Sequence, residues 1–138
     1  MSKIYKKYQE LKNSSNYKPN TFYLFKAGLF FIFIDNDAKV MSNYLNLKLG
    51  NLNETIVKCG FPVNSLQKYL KLLKDTPYNI EIVSLENDAP LTSNDYIHNE
   101  DLKCIIDKIL KTNVNDLSIS QAYEFLYTIQ QKLYKIIN

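Results

Sequence analysis

Acid–base and metal chemistry have few residues to work with in this chain. It holds one histidine, His98, no arginine, and two cysteines, Cys59 and Cys104, whose spacing fits neither a metal nor a redox pair. No Ser/His/Asp or Cys/His pairing can be assembled around His98, which stands beside Asn99 and Glu100 and reads as a helix-start residue. Gly28, Gly50 and Gly60 are the only glycines, too few and too dispersed for a phosphate-cradling loop. Asp35 and Asp37 could be imagined as metal ligands. A helical stripe follows them at once, so they read instead as acids at a helix N-terminus, where they complement its dipole. The expectation is a non-enzyme with no metal or cofactor, built for binding.

What remains is aromatic and cationic. The chain has 11 Tyr and 7 Phe, and all 17 of its basic residues are Lys. A planar guanidinium is the best bidentate reader of guanine and phosphate. Without it, a nucleic-acid surface would have to combine Lys point charges, Asn amides and stacking rings. The net charge of +3 is mild, but it is unevenly placed. Residues 1–87 hold 12 Lys against 7 acids, or +5, and residues 88–138 hold 5 Lys against 7 acids, or −2. A polyanion prefers the first segment, unless the asymmetry is only that of a solvated surface.

The elements that must position these residues follow from periodicity. Ile4, Tyr8 and Leu11 mark an amphipathic helix. Phe22–Phe25 and Phe30–Ile34 read as two strands punctuated by Gly28, close enough to be an antiparallel pair. The second is apolar on both faces and so belongs in the middle of a sheet. Asp35–Asp37 then cap a helix lined by Ala38, Met41 and Leu45, and Leu45–Leu49 extends into a short strand. Thr55–Cys59 is β-rich and broken by Gly60-Phe61-Pro62. Asn64 and Gln67 form a capping box for the helix of Leu66, Tyr69, Leu70 and Leu73, and Asn79–Val83 is a closing strand. Glu86–Asn94 has turn chemistry and marks a boundary. Two antiparallel helices follow, one around Leu102–Leu110 and one opened by a Ser118/Gln121 capping box and running through Ala122–Ile136. Their stripes must be buried on the first domain or on a second subunit. The expected domains are 1–87, an α/β (α+β) module with a mixed central sheet flanked by helices, and 88–138, a helical extension.

The order of several fragments resembles domain I of MutS-type DNA mismatch-repair proteins. Phe25-Lys26-Ala27-Gly28-Leu29-Phe30-Phe31-Ile32-Phe33 resembles the family's strand pair, which usually reads F-R-L-G-D-F-Y-E-L/M. Tyr8–Lys12 resembles its opening helix, Asp37-Ala38 the start of its next helix, Gly60-Phe61-Pro62 with Tyr69-Leu70 its G-[VI]-P…Y-[LI] segment, and Asn79–Val83 its following strand. Order and spacing agree over residues 3–86. The resemblance implies that Phe30 stacks on a mispaired or unpaired base from the minor groove. Ile32 stands where the family carries a base-bonding Glu, and Leu29 where it carries Asp, so the hydrogen-bonding half of the readout is absent. MutS proteins follow this domain with a connector, clamp and ATPase. Here a helical tail follows, which implies a stand-alone module without a nucleotide-driven clamp.

Two readings of Phe30 stay open: exposed and stacking, or packed in the core with Ile32 and Ile34. The function expected is DNA binding with a preference for distorted or mismatched duplex, as in mismatch repair. Phe30 would be the wedge, and Lys26, Lys39, Lys48 and Lys58 the phosphate contacts. The alternative is an interaction module that kept the fold and lost mismatch readout, docking on a repair-protein partner or self-associating as a homo-oligomer through the tail helices. With no signal peptide and no run long enough to span a membrane, the expected compartment is the cytoplasm.

Overall fold

The computed structural model describes residues 3–85 and 89–137. The chain divides into two units, Met1–Ser93 and Asn94–Asn138. The first runs α1 (Lys3–Lys12), β1 (Thr21–Ala27), β2 (Phe30–Ile34), α2 (Asp35–Leu45), β3 (Gly50–Asn51), β4 (Val57–Pro62), a 3-10 turn (Val63–Ser65), α3 (Leu66–Leu73), β5 (Asn79–Val83) and β6 (Leu91–Thr92). The strands form one mixed sheet in the order β3-β4-β2-β1-β5-β6. The fold class is therefore the mixed α+β arrangement expected, with β2 inside the sheet and antiparallel to β1.

The two-sided apolarity of β2 has a direct cause, because both faces of the sheet are covered. One face carries Tyr23, Phe25, Ile32, Ile34, Ile56 and Val83, with Tyr8 of α1 packed among them. On the other, Phe31 pairs with Phe61 and Phe33 with Cys59 across the β2–β4 ladder. The Cys59 thiol reaches the carbonyl of Ala38 in α2 at 3.6 Å, and the Phe61 ring stacks on Tyr69 of α3 at 4.3 Å between centroids. Burial pushes the Cys59 thiol up to about 11, so it behaves as a small buried hydrophobe rather than a nucleophile.

Several local expectations are corrected. Gly60-Phe61-Pro62 does not break a strand; it lies within β4. The glycine is there because β2 passes close: a Cβ at position 60 would collide with the Phe31 carbonyl oxygen and meet Ile32 Cγ2 at 2.8 Å. Gly60→Ala should therefore destabilise the protein by about 1–3 kcal/mol, as overpacking does, read as a lower urea midpoint. An unchanged midpoint would mean that the two strands can separate without cost. Residues 46–49 form no strand, and the first ladder pair beyond α2 is Gly50 with Lys58. Asn64 and Gln67 make no capping box, since the 3-10 turn leads into α3 and its N-cap, Ser65, has no side-chain bond. The expected boundary segment contains β6, which pairs with β5 so that β5 does not close the sheet. Part of that segment, 86–88, lies outside the described residues.

The second unit consists of α4 (Ser93–Lys111, its first residue closing the first unit), a 3-10 turn (Val114–Asp116) and α5 (Ile119–Ile137). His98 lies well inside α4 rather than at its start. The Ser118/Gln121 capping box forms as expected: Gln121 N–H donates to Ser118 Oγ at 3.2 Å and Ser118 N–H to Gln121 Oε1 at 2.9 Å. Lys108, late in α4, borders a cavity with Gln121 and Phe125 early in α5, whereas Asp101, midway along α4, borders one with Lys132 and Ile136 late in α5, so the two helices run antiparallel.

Candidate nucleic-acid interface

The β1–β2 hairpin closes on the pair Ala27 and Phe30, leaving Gly28-Leu29 as a two-residue loop. Gly28 has φ 60°, whereas Leu29 is not among the positive-φ residues. That is the pattern of a type II′ turn, whose first central position calls for glycine and whose twist matches that of the strands. The loop presents two apolar side chains to solvent: Leu29 is 77% exposed and Phe30 52%.

Phe30 and Ile32 lie on the same face of β2, two residues apart, yet their surroundings differ. Ile32 is 8% exposed and belongs to the cluster beneath α1. Phe30 sits at the strand's open end, flanked by Ala27 and the exposed Pro62. The structure thus separates residues that the core reading of the strand groups together: Phe30 is outside the core, and Ile32 and Ile34 are inside it.

The four Lys candidates do not gather around Phe30. Lys26 is exposed near the tip, but it pairs across the hairpin with Phe31 and so points to the other face of the sheet. Lys58 is half-buried opposite Ile34, at the far end of β2 from Phe30, about 13 Å along the strand. Lys39 is exposed on α2, and Lys48 is exposed between α2 and β3. What does adjoin the tip is the turn after β4, because Val63 N–H donates to the Leu29 carbonyl at 2.9 Å. This bond ties the start of α3 to the hairpin and brings exposed Asn64, Gln67 and Lys68 into the same region. Sequence reasoning missed these three. The signal available was that Gly60-Phe61-Pro62 carries β4 alongside β2, so the residues just after it must emerge beside the hairpin tip.

A second polar constellation lies at the opposite end of β2. Asp35 and Asp37 lie in the first turn of α2, as expected of acids at a helix N-terminus, but neither caps it. The N-cap is Ile34 with no side-chain bond, and Asp37 is 2% exposed and turned to other partners. Its carboxylate accepts a hydrogen bond from Tyr23 N–H at 2.9 Å and one from the Tyr8 hydroxyl at 3.4 Å, and it pairs with Lys12 Nζ at 2.8 Å. Lys12 also donates to the Thr21 carbonyl, and its ammonium lies 4.8–5.7 Å from the ring centroids of Tyr8, Tyr17, Phe22 and Tyr23. Burial pushes the Asp37 carboxyl above the usual carboxylate range, while Lys12 and the two donors oppose the shift. Burial, with Glu81 second, moves the Tyr23 hydroxyl up to about 12. The cleft beside this cluster, about 530 Å³, is bordered by α1 and the start of α2. Its charged groups are engaged with one another, which makes this a structural joint rather than a vacant site. Among the described residues no group of His, Cys, Asp and Glu could hold a metal ion, and no helix is long and apolar enough to cross a membrane.

A hairpin with an exposed Phe one residue past a tight Gly turn, followed by the G-F-P strand, sits on a sheet flanked by helices. The MutS domain I family model matches the chain over residues 2–114. The chain belongs to the MutS domain I family. The match extends beyond residues 3–86 to include β6 and α4. No curated protein matches the chain. At the family level, MutS domain I is a non-catalytic DNA-binding domain associated with mismatch repair.

Proposed function

We propose that the first unit binds duplex DNA and prefers sites where a base step is already opened, with Phe30 as the stacking wedge. The observation that carries this reading is the exposure of Phe30, 52%, at the hairpin position that the sequence resemblance equates with the stacking Phe of MutS domain I. An apolar wedge that unstacks a step costs least where pairing is already broken. Leu29, exposed beside it, widens the apolar tip. Ile32 is buried and has no hydrogen-bonding group, so the preference follows the ease of unstacking and is indifferent to which base is unpaired. Phosphate contacts beside the wedge come from the Asn64–Lys68 region tied to the tip, while Lys26, near the tip on the opposite face of the sheet, adds positive charge. Lys39, Lys48 and Lys58 contribute to the positive charge of the first unit without converging on the wedge.

The test is a binding titration with matched, mismatched and bulged duplexes at two salt concentrations. Binding should be weak and fall steeply as salt rises, because Lys–phosphate contacts release counterions. Bulged and mismatched duplexes should bind more tightly than matched ones. Stacking is worth about 1–3 kcal/mol per base, so Phe30→Ala should erase a preference of roughly 5- to 150-fold and leave the salt-dependent background. Absence of binding to any duplex at low salt would reject the reading in favour of an interaction module that kept the fold alone.

A further inference from the structure

We infer that the outer face of α5 is a self-association surface whose occupant is the same face of a second copy of this chain. Helix α5 carries two apolar stripes. The first, Ala122, Phe125, Ile129, Leu133 and Ile136, is at least half-buried throughout. The second consists of Ile119, Tyr123, Leu126, Tyr127, Tyr134 and Ile137, which are 55–92% exposed. At about 100° per residue these six fall within an arc of about 100°, centred roughly 100° around the helix from the first stripe. The charged residues Glu124, Lys132 and Lys135 fall on the side away from it. A solvated helix face is normally polar, and this one has no charge.

The size of the stripe matches what a dimer requires. Side chains of this kind present roughly 150–250 Å² each when free. At their exposures the six offer on the order of 800 Å², which is the share of one partner in a standard stable interface and more than a monomer usually leaves in one apolar patch. The pattern is also self-complementary. In an antiparallel pairing centred near Thr128, Ile119 of one copy meets Ile137 of the other, Tyr123 meets Tyr134, and Gln130 meets Leu126 and Tyr127. Each contact then occurs twice, as a two-fold interface demands. Gln130, the polar residue in the stripe, falls near the centre, where a single polar position fixes register. DNA does not fit this face, since the stripe has no Lys and residues 88–138 carry a net −2. Two helical hairpins joined this way make a four-helix arrangement.

Sedimentation equilibrium on the full chain tests the inference. The mass should rise from 16.1 kDa towards twice that value as concentration increases from about 1 to 100 μM. Tyr123→Glu combined with Leu126→Glu should hold the chain monomeric, and Thr128→Glu, on the far side, should leave the dimer intact. In the unaltered chain, hydrogen exchange of the α5 amides should slow over the same concentration range, which localises the contact without any substitution. A monomer at about 100 μM, a dimer that survives the double substitution, or α5 exchange that ignores concentration would each overturn the inference. Association through a different partner would appear as a monomer alone in solution and is likewise a negative result.

Discussion

Ile32→Glu is expected to destabilise the protein by about 4 kcal/mol, and to add nothing to DNA discrimination. The substitution restores the acid that the MutS pattern carries two residues after the stacking Phe. In this chain, however, position 32 lies among Tyr8, Tyr23, Phe25, Ile56 and Val83. Replacing the isoleucine forfeits about 1.5–3 kcal/mol of apolar burial, and an unpaired carboxyl in that cluster adds about 2 kcal/mol or more. A total near 4 kcal/mol is a large part of the roughly 5–15 kcal/mol that holds a domain folded. The buried carboxyl should have a raised pKa, so it binds a proton in the folded state before it does so in the unfolded chain. The defect should therefore shrink as pH falls. Ile32→Val, which keeps the site apolar, should cost only about 0.5–1.5 kcal/mol. Urea melts of the two variants at two pH values make the comparison. An Ile32→Glu variant with an unchanged midpoint and sharper mismatch preference would place position 32 on the DNA side and reverse the assignment.

This result bears on what could be read from the sequence. The apolar run Phe30–Ile34 was enough to place β2 inside the sheet, and Gly28 was enough to place the turn. Alternation could not say where along the strand the core stops, because that depends on how far α1 reaches over the sheet. Hence Phe30 and Ile32, identical by pattern, have opposite environments. Gly60-Phe61-Pro62 misled for a related reason: glycine and proline usually mark breaks, but Gly60 is required by the close passage of Phe31 and Ile32, a long-range fact. The Ser118/Gln121 box was legible because capping is local, and both of its hydrogen bonds form. Asp37 shows the reverse case. Local rules make it a helix-terminal acid, and only the arrival of Lys12 and Tyr8 from α1 gives it its role.

That role predicts the second large effect. Asp37→Ala should destabilise the protein by about 3–5 kcal/mol, the usual cost of removing one partner from a buried ion pair. The loss would strand three groups at once: the Tyr23 N–H, the Tyr8 hydroxyl and the Lys12 ammonium among its aromatic rings. Because Lys12 and Tyr8 belong to α1, hydrogen exchange over Lys3–Lys12 should accelerate more than exchange in β2 or β5. Asp37→Asn keeps an acceptor for the Tyr23 N–H and should cost less. The exposed pairs Lys103–Glu100 and Lys111–Asp107 provide a contrast, since solvent screening leaves such pairs worth about 0–1 kcal/mol. The pH dependence follows from the raised Asp37 carboxyl. Between the ordinary carboxylate value and its own, the folded chain holds a proton that the unfolded chain has released. The group's contribution to stability is therefore greatest below the ordinary value, about 4, and declines as pH rises through its own. The stability of the parent minus that of Asp37→Asn should fall across that window. A difference that is flat with pH, or an Asp37→Ala protein that melts with the parent, would show that α1 is held by its apolar contacts alone and that the Lys12–Asp37 joint is incidental.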